Sequence, residues 1–253
     1  DGQWLREGHD HGAMLAAAGG YTPLYLRYNS GLPVGDNGAQ LAALLEELLG
    51  AWPLPVQELV LLGHSMGGLV ARSACHHAAV QGLRWPQQLR SLVFLGTPHH
   101  GSPLERGGQG LQRLLQLSPY SAPLAALGRA RSAGIQDLRH GSVTRGGPAH
   151  VPLPPGVACH AVAATLAKRN QPLAERLLGD GLVTVDSALG RHRDPGRTLG
   201  FAPSRQFISH GTGHLELLSH PAVAAQLREW LVPAITPPAS VAPSPADRPS
   251  PPA

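Results

Sequence analysis

The chain has 253 residues, enough for one α/β domain with a full core. Its formal charge is +4 and its pI about 9.6, yet Lys168 is the sole lysine and the arginines are scattered without a run or stripe, which argues against nucleic acid as a partner. No uninterrupted apolar run approaches the length of about eighteen residues that a membrane span needs, and no leader-like segment is visible, which favours a cytoplasmic location.

Residues 5–19 have the composition of a helix stopped by Gly19-Gly20, and TPLYLRYN, 22–29, has that of a buried strand. SGLPVGDNG is a loop in which Asp36 or Asn37 can cap a helix running to about residue 49. ELVLLG, 58–63, is a short apolar strand, GGLVARSACHHAAV a helix, and RSLVFLG, 90–96, a further strand. Strand and helix thus alternate at short spacing, the pattern of a parallel sheet covered on both faces. Residues 98–156 break that rhythm. They carry Leu104, Leu111, Leu114, Leu115 and Leu117 at helical spacing, then much Gly, Pro and Arg, and predict a partly helical, cap-like insertion. VACHAVAATL, 157–166, and RQFIS, 205–209, return to strand. PAVAAQLREWL, 221–231, is an amphipathic helix with Pro221 in its first turn. Residues 1–232 therefore make one domain, and the proline-rich stretch 233–253 is expected to be a disordered tail.

GHSMG, 63–67, joins the 58–63 strand to the following helix. A G-x-S-x-G pattern is common by chance, but at a strand-to-helix turn it has a mechanical meaning. The turn holds Ser65 in a strained conformation with its hydroxyl thrust outward. Strand and helix then come so close that glycine is expected two residues to either side, at Gly63 and Gly67. The helix start offers free N–H groups, and that of Met66 can face a developing oxyanion.

A reactive serine needs a base, and the base needs an orienting acid. After such a turn the helpers follow in the chain order acid, then histidine. Asp180, in GDGLVTVDSALG, is the preferred acid because Gly181 lets the backbone turn there, and Asp186 is the alternative. HGTGHLELLSHP offers His210, His214 and His220, of which His214 sits in the loop between strand and helix. LGTPHHGSPLE, 95–105, leaves the next strand at the same sheet edge, so His99 or His100 can line the site or belong to a plain turn. Cys75 and Cys159 have no zinc spacing and read as buried free thiols, with one disulfide the alternative. GHDHG, 8–12, suggests a metal, but i, i+2 spacing splays His9 and His11 apart, so no metal site is expected.

GHSMGGLVARS, LGTPHHGSPLE, GDGLVTVDSALG and GHLELLSHP resemble, in order, the corresponding blocks of lipase-like α/β-hydrolases, and most closely bacterial triacylglycerol lipases and the GPI inositol-deacylase-like group. The resemblance covers about residues 1–232. It implies an α/β-hydrolase fold with a small helical cap. Ser65 would be the nucleophile, Asp180 the acid, His214 the base and Met66 one oxyanion donor. No cofactor is implied. The substrate would be a small-molecule or lipid ester, met in transient contact with a membrane surface. An acyltransferase using the same serine and a non-catalytic binding module are the alternatives. Such hydrolases usually carry an apolar strand ending in His-Gly upstream, whose loop gives the second oxyanion donor. The sequence opens at DGQWLREG without one, so a first strand is expected to lie upstream.

Overall fold

The computed structural model describes residues 4–101, 133–146, 150–169 and 179–232. Its centre is a sheet of four parallel strands in the order of the chain: β1 (Leu59–His64), β2 (Leu89–Leu95), β3 (Ala158–Thr165) and β4 (Gln206–His210). The register places Leu62 beside Val93, Phe94 beside Ala161 and Val162 beside Phe207. These strands match the apolar runs of the sequence because each run is bounded by turn residues and is short enough to span a sheet once.

Side chains alternate between the two faces, so each strand feeds two cores. Leu92, Phe94, Ala161 and Ala163 pack with α2 (Val34–Ala51) and α3 (Met66–Gln81). Val93, Leu95, Val162 and Ala164 pack on the opposite face with α1 (His11–Gly19) and a C-terminal helix, Pro221–Leu231. Two shorter helices lie between, α4 (Ala133–His140) and α5 (Val185–Ala188), so the C-terminal helix is α6. Leu138, Val143 and Val151 from the 98–156 excursion join the core on the α2–α3 side. The remainder of the expected cap, with Leu104, Leu111, Leu114, Leu115 and Leu117, lies outside the described residues, as does the 233–253 tail.

Three expectations are corrected. The first helix starts at His11 rather than near residue 5. Glu7 and Gly8 both have positive φ, and the Asp10 side chain caps the helix by accepting from Ala13 N at 2.9 Å. Helix α2 starts at Val34, ahead of Asp36 and Asn37. Its first N–H, on Val34, donates to Asp137 Oδ2 of α4 at 2.9 Å, so the cap comes from elsewhere in the chain. Asn37 is buried, and its amide donates to Asn29 O at 3.0 Å. Residues 22–29 form no strand. β1 is the edge of the sheet and nothing pairs with its outer side among the described residues, so the segment lacks a ladder and leaves Leu24 59% exposed. An apolar run becomes a strand only where another backbone meets it.

Cys75 and Cys159 are both buried and free, and burial pushes each thiol up to about 12. Among the described residues, no helix is long and apolar enough to cross a membrane.

Candidate active site

Ser65 stands between β1 and α3 with φ 52° and ψ −123°, one of two non-glycine residues with positive φ among those described. Such a backbone is costly and persists only when its surroundings fix it. Ser65 N donates to Leu95 O of β2 at 2.8 Å, and Gly68 N donates back to Ser65 O at 3.1 Å. The close approach of strand and helix is real, but the glycines that allow it are Gly63 and Gly68. A Cβ on Gly63 would stand 2.6 Å from Gly68 N, and one on Gly68 would stand 2.0 Å from Thr97 Oγ1. At Gly67 the nearest atom to such a Cβ is Tyr28 Oη at 3.9 Å, an ordinary contact, so packing does not require glycine there. Met66 is the first residue of α3, where backbone N–H groups lack helical acceptors.

Asp180 and His214, 34 residues apart in sequence, are brought together. His214 Nδ1 donates to Asp180 Oδ2 at 2.6 Å, and both side chains are almost wholly buried. The other carboxylate oxygen, Oδ1, accepts from Leu182 N at 2.9 Å and Val183 N at 2.7 Å. Gly181, with φ 91°, turns the backbone so that those two amides face the carboxylate. The His214 loop is tied down in several places. Gly211 N donates to Ala167 O at 3.0 Å, Thr212 N to Thr165 O at 2.9 Å, and His214 N to Asp180 O at 3.2 Å. Gly213 N donates to Glu216 Oε2 at 2.7 Å.

Gly96, the residue after β2, backs the His214 ring. A Cβ there would lie 3.1 Å from Cε1 and 3.2 Å from Nδ1. Because Ser65 N is held by Leu95 O, the serine and the imidazole converge on the same end of β2. With Nδ1–H given to Asp180, His214 Nε2 carries a lone pair. It is buried and has no hydrogen-bond partner. The arrangement can accept a proton from a nearby hydroxyl and hold the resulting charge against a buried carboxylate.

The alternative residues have other partners. Asp186 lies in the first turn of α5 and pairs with Arg191 at 3.7 Å. His210 ends β4, and His220 caps α6 by accepting from Ala222 N at 3.2 Å. His99 is buried, with Nδ1 accepting from Arg72 Nη1 at 2.9 Å and its ring against Phe94 and Phe201. Burial, and then the Arg72 charge, hold it well below the usual histidine range. His100 donates to Gly190 O at 3.0 Å. His9 and His11 do not splay apart. Residue 9 precedes the helix, so its ring swings back and His9 Nε2 meets His11 Nδ1 at 2.8 Å, while His11 donates to Leu217 O at 2.9 Å. No group of three or more His, Cys, Asp or Glu is placed to hold a metal among the described residues.

Two residues near this chemistry escape a sequence reading. His64 occupies a position at which the motif accepts any residue. Yet its Nε2–H donates to His214 O at 3.0 Å, and its ring centroid lies 4.7 Å from that of His214. Arg72 is a buried cation whose side chain, among the described residues, bonds only to His99, and its Nε–H has no partner there. The legible signal for His64 was a polar ring closing an otherwise apolar strand. For Arg72 it was a charge inside an apolar helix face.

A family model, the PGAP1-like alpha/beta domain, matches residues 45–146, less than half of the chain. No curated protein gives a significant match. Among solved structures, a Bacillus licheniformis lipase in its propeptide form is 21% identical, covering 80% of this chain and 42% of its own, with a TM-score of 0.50. The mature form of that lipase gives 20% identity, 80% and 76% coverage, and a TM-score of 0.49. Lipase B of Aspergillus fumigatus gives 14%, 84% and 46%, and 0.43. The parallel sheet covered on both faces, the strained serine turn leaving β1 and the similarity to the propeptide-form lipase agree: the chain has the α/β-hydrolase fold.

Proposed function

We propose that the protein is a serine hydrolase that cleaves carboxylic esters, with acyl (lipid-like) esters as the substrate class, through an acyl-enzyme. The observation that carries this reading is the buried His214–Asp180 pair, whose unpartnered Nε2 converges with strained Ser65 on one end of β2. His214 Nε2 takes the Ser65 proton as Oγ attacks the ester carbonyl. Asp180 stabilises the imidazolium and holds its tautomer. The Met66 N–H donates to the oxyanion. His214 then returns the proton to the departing alkoxide. A water, deprotonated by the same nitrogen, releases the acid and regenerates Ser65. A membrane surface is met only transiently.

The test is turnover of a series of p-nitrophenyl esters, from acetate to long acyl chains, by the purified protein and by Ser65→Ala. The expected loss in Ser65→Ala is about 10⁴-fold or more at every chain length, with the fold intact. Equal turnover by both proteins would contradict the assignment.

A further inference from the structure

The elbow motif leaves the residue before the serine undefined, and here it is a histidine whose ring is engaged with the base loop. We propose that His64 is a positioning residue for His214. Its Nε2–H pins the His214 backbone carbonyl and thereby sets the angle at which the imidazole meets Ser65. The proposal rests on the Ser65–His214–Asp180 reading given above.

Strand geometry brings the two together. Alternation along β1 puts His64 on the same face as Val60 and Leu62, which pack with α1 and α6. The loop from β4 to α6 crosses that end of the sheet and carries His214. The carbonyl of residue 214 therefore meets the last side chain of β1, at 3.0 Å. Two bonds then fix residue 214 from opposite sides: its N–H donates to Asp180 O at 3.2 Å, and its C=O accepts from His64. The side-chain bond to Asp180 Oδ2 completes a three-point hold on the base.

The chemistry of His64 fits this role and no other step of the reaction. Its Nε2 carries a proton that is already donated, so it is not a competing base at that atom. Burial, and then the neighbouring His214, push its pKa down to about 3. The bond to the His214 carbonyl and then Asp180 favour a charge on the ring but do not offset these two, and Arg6 opposes it most weakly. A neutral ring tilted 45° beside His214 leaves room for the imidazolium to form without a like charge next to it. An aliphatic residue of similar size would fill the space but leave the 214 carbonyl without its donor, at a cost borne by the base loop.

The experiment compares the wild type with His64→Leu and His64→Gln, each checked for folding by near-UV circular dichroism. The readouts are kcat and KM on a p-nitrophenyl ester and the downfield NMR resonance of the His214 Nδ1 proton. His64→Leu is expected to lose up to about 100-fold in kcat with KM unchanged, as for a misplaced catalytic group. Its downfield resonance should be broadened or shifted. His64→Gln, which keeps an N–H donor, should recover most of both. A folded His64→Leu with wild-type kcat and a sharp, unmoved resonance would overturn the proposal while leaving the triad reading intact. Should His64→Leu fail to fold, a His64→Gln that folds yet shows neither activity nor the resonance overturns it. A wild type with neither hydrolysis nor a downfield resonance would instead remove the triad reading, and this inference with it.

Discussion

Two buried histidines make the instructive contrast in this molecule. His214 and His99 both sit in loops leaving strand ends, both are at most 4% exposed, and both bond through Nδ1. Their partners have opposite charge. Asp180 accepts from His214, so the proton is on Nδ1 and Nε2 is left with a lone pair. Arg72 donates to His99, so Nδ1 is the acceptor and the proton is forced onto Nε2. Both Nε2 atoms lack a partner, but one is an acceptor waiting for a proton and the other a donor waiting for an oxygen. Protonating His214 places a cation against a carboxylate, whereas protonating His99 would place one against a guanidinium. The partner at Nδ1, rather than depth of burial, separates a ring that can accept a proton at Nε2 from one that already carries it there.

The largest expected effect breaks the His214 side of this contrast. Asp180→Asn offers an amide that can donate, which favours the wrong tautomer of His214, and kcat for ester hydrolysis should fall about 10⁴-fold. Asp186→Asn and His210→Ala should leave kcat close to wild type in the same assay. If Asp186→Asn is the inactive variant, the acid has been placed six residues too early.

A smaller effect is expected on the other side, and in stability rather than rate. His99→Phe strands the buried Arg72 guanidinium and should cost about 1–3 kcal/mol in urea denaturation. Arg72→Met removes the cation together with its need for a partner. The double variant should regain much of what His99→Phe loses, a coupling that a double-mutant cycle reads directly. Per folded molecule, hydrolysis should persist in all three. Loss of activity in a stable Arg72→Met would show that this pair belongs to the chemistry.

The smallest effect concerns pH. His64, His99 and His160 all have folded pKa values below the ordinary histidine range, by burial first in each case, with His64 at about 3 and His160 at about 4. Above the unfolded pKa of about 6.5 both states are neutral at these sites and folding gains its full stability. As pH falls from there toward about 4, the unfolded chain binds protons that the native state refuses, and stability declines. The urea midpoint should therefore drop from pH 7 to pH 5. Arg72→Met removes one cause of the His99 depression, so its midpoint should fall less steeply over that interval. A midpoint flat across it would mean that these rings are protonated in the native state.

Much of the fold was legible because the strands are apolar runs punctuated by Gly, Pro and polar residues. Helix α6 was legible to its ends because Pro221 marks its start and an amphipathic pattern its length. Residues 22–29 misled because a strand is a relation between two backbones and the sequence shows only one of them. The start of α2 misled because its cap, Asp137, lies 103 residues away. For the site, the turn around Ser65 was visible in five residues, and Asp180 and His214 stood at positions where loops must cross the sheet end. His64 was not legible as a contributor, since its partner is a backbone carbonyl 150 residues distant. Gly68, rather than Gly67, carries the close packing because Thr97 and Phe94 approach it from the neighbouring strand and loop.

The central claim is that Ser65 is a nucleophile activated by the His214–Asp180 pair, and covalent labelling tests it most directly. The purified protein is incubated with a fluorophosphonate, digested, and the adduct mapped by mass spectrometry. The account predicts a single stoichiometric adduct on Ser65 that is absent in Ser65→Ala and strongly slowed in His214→Ala. An adduct on another serine, or labelling of Ser65 at the same rate without His214, would contradict it.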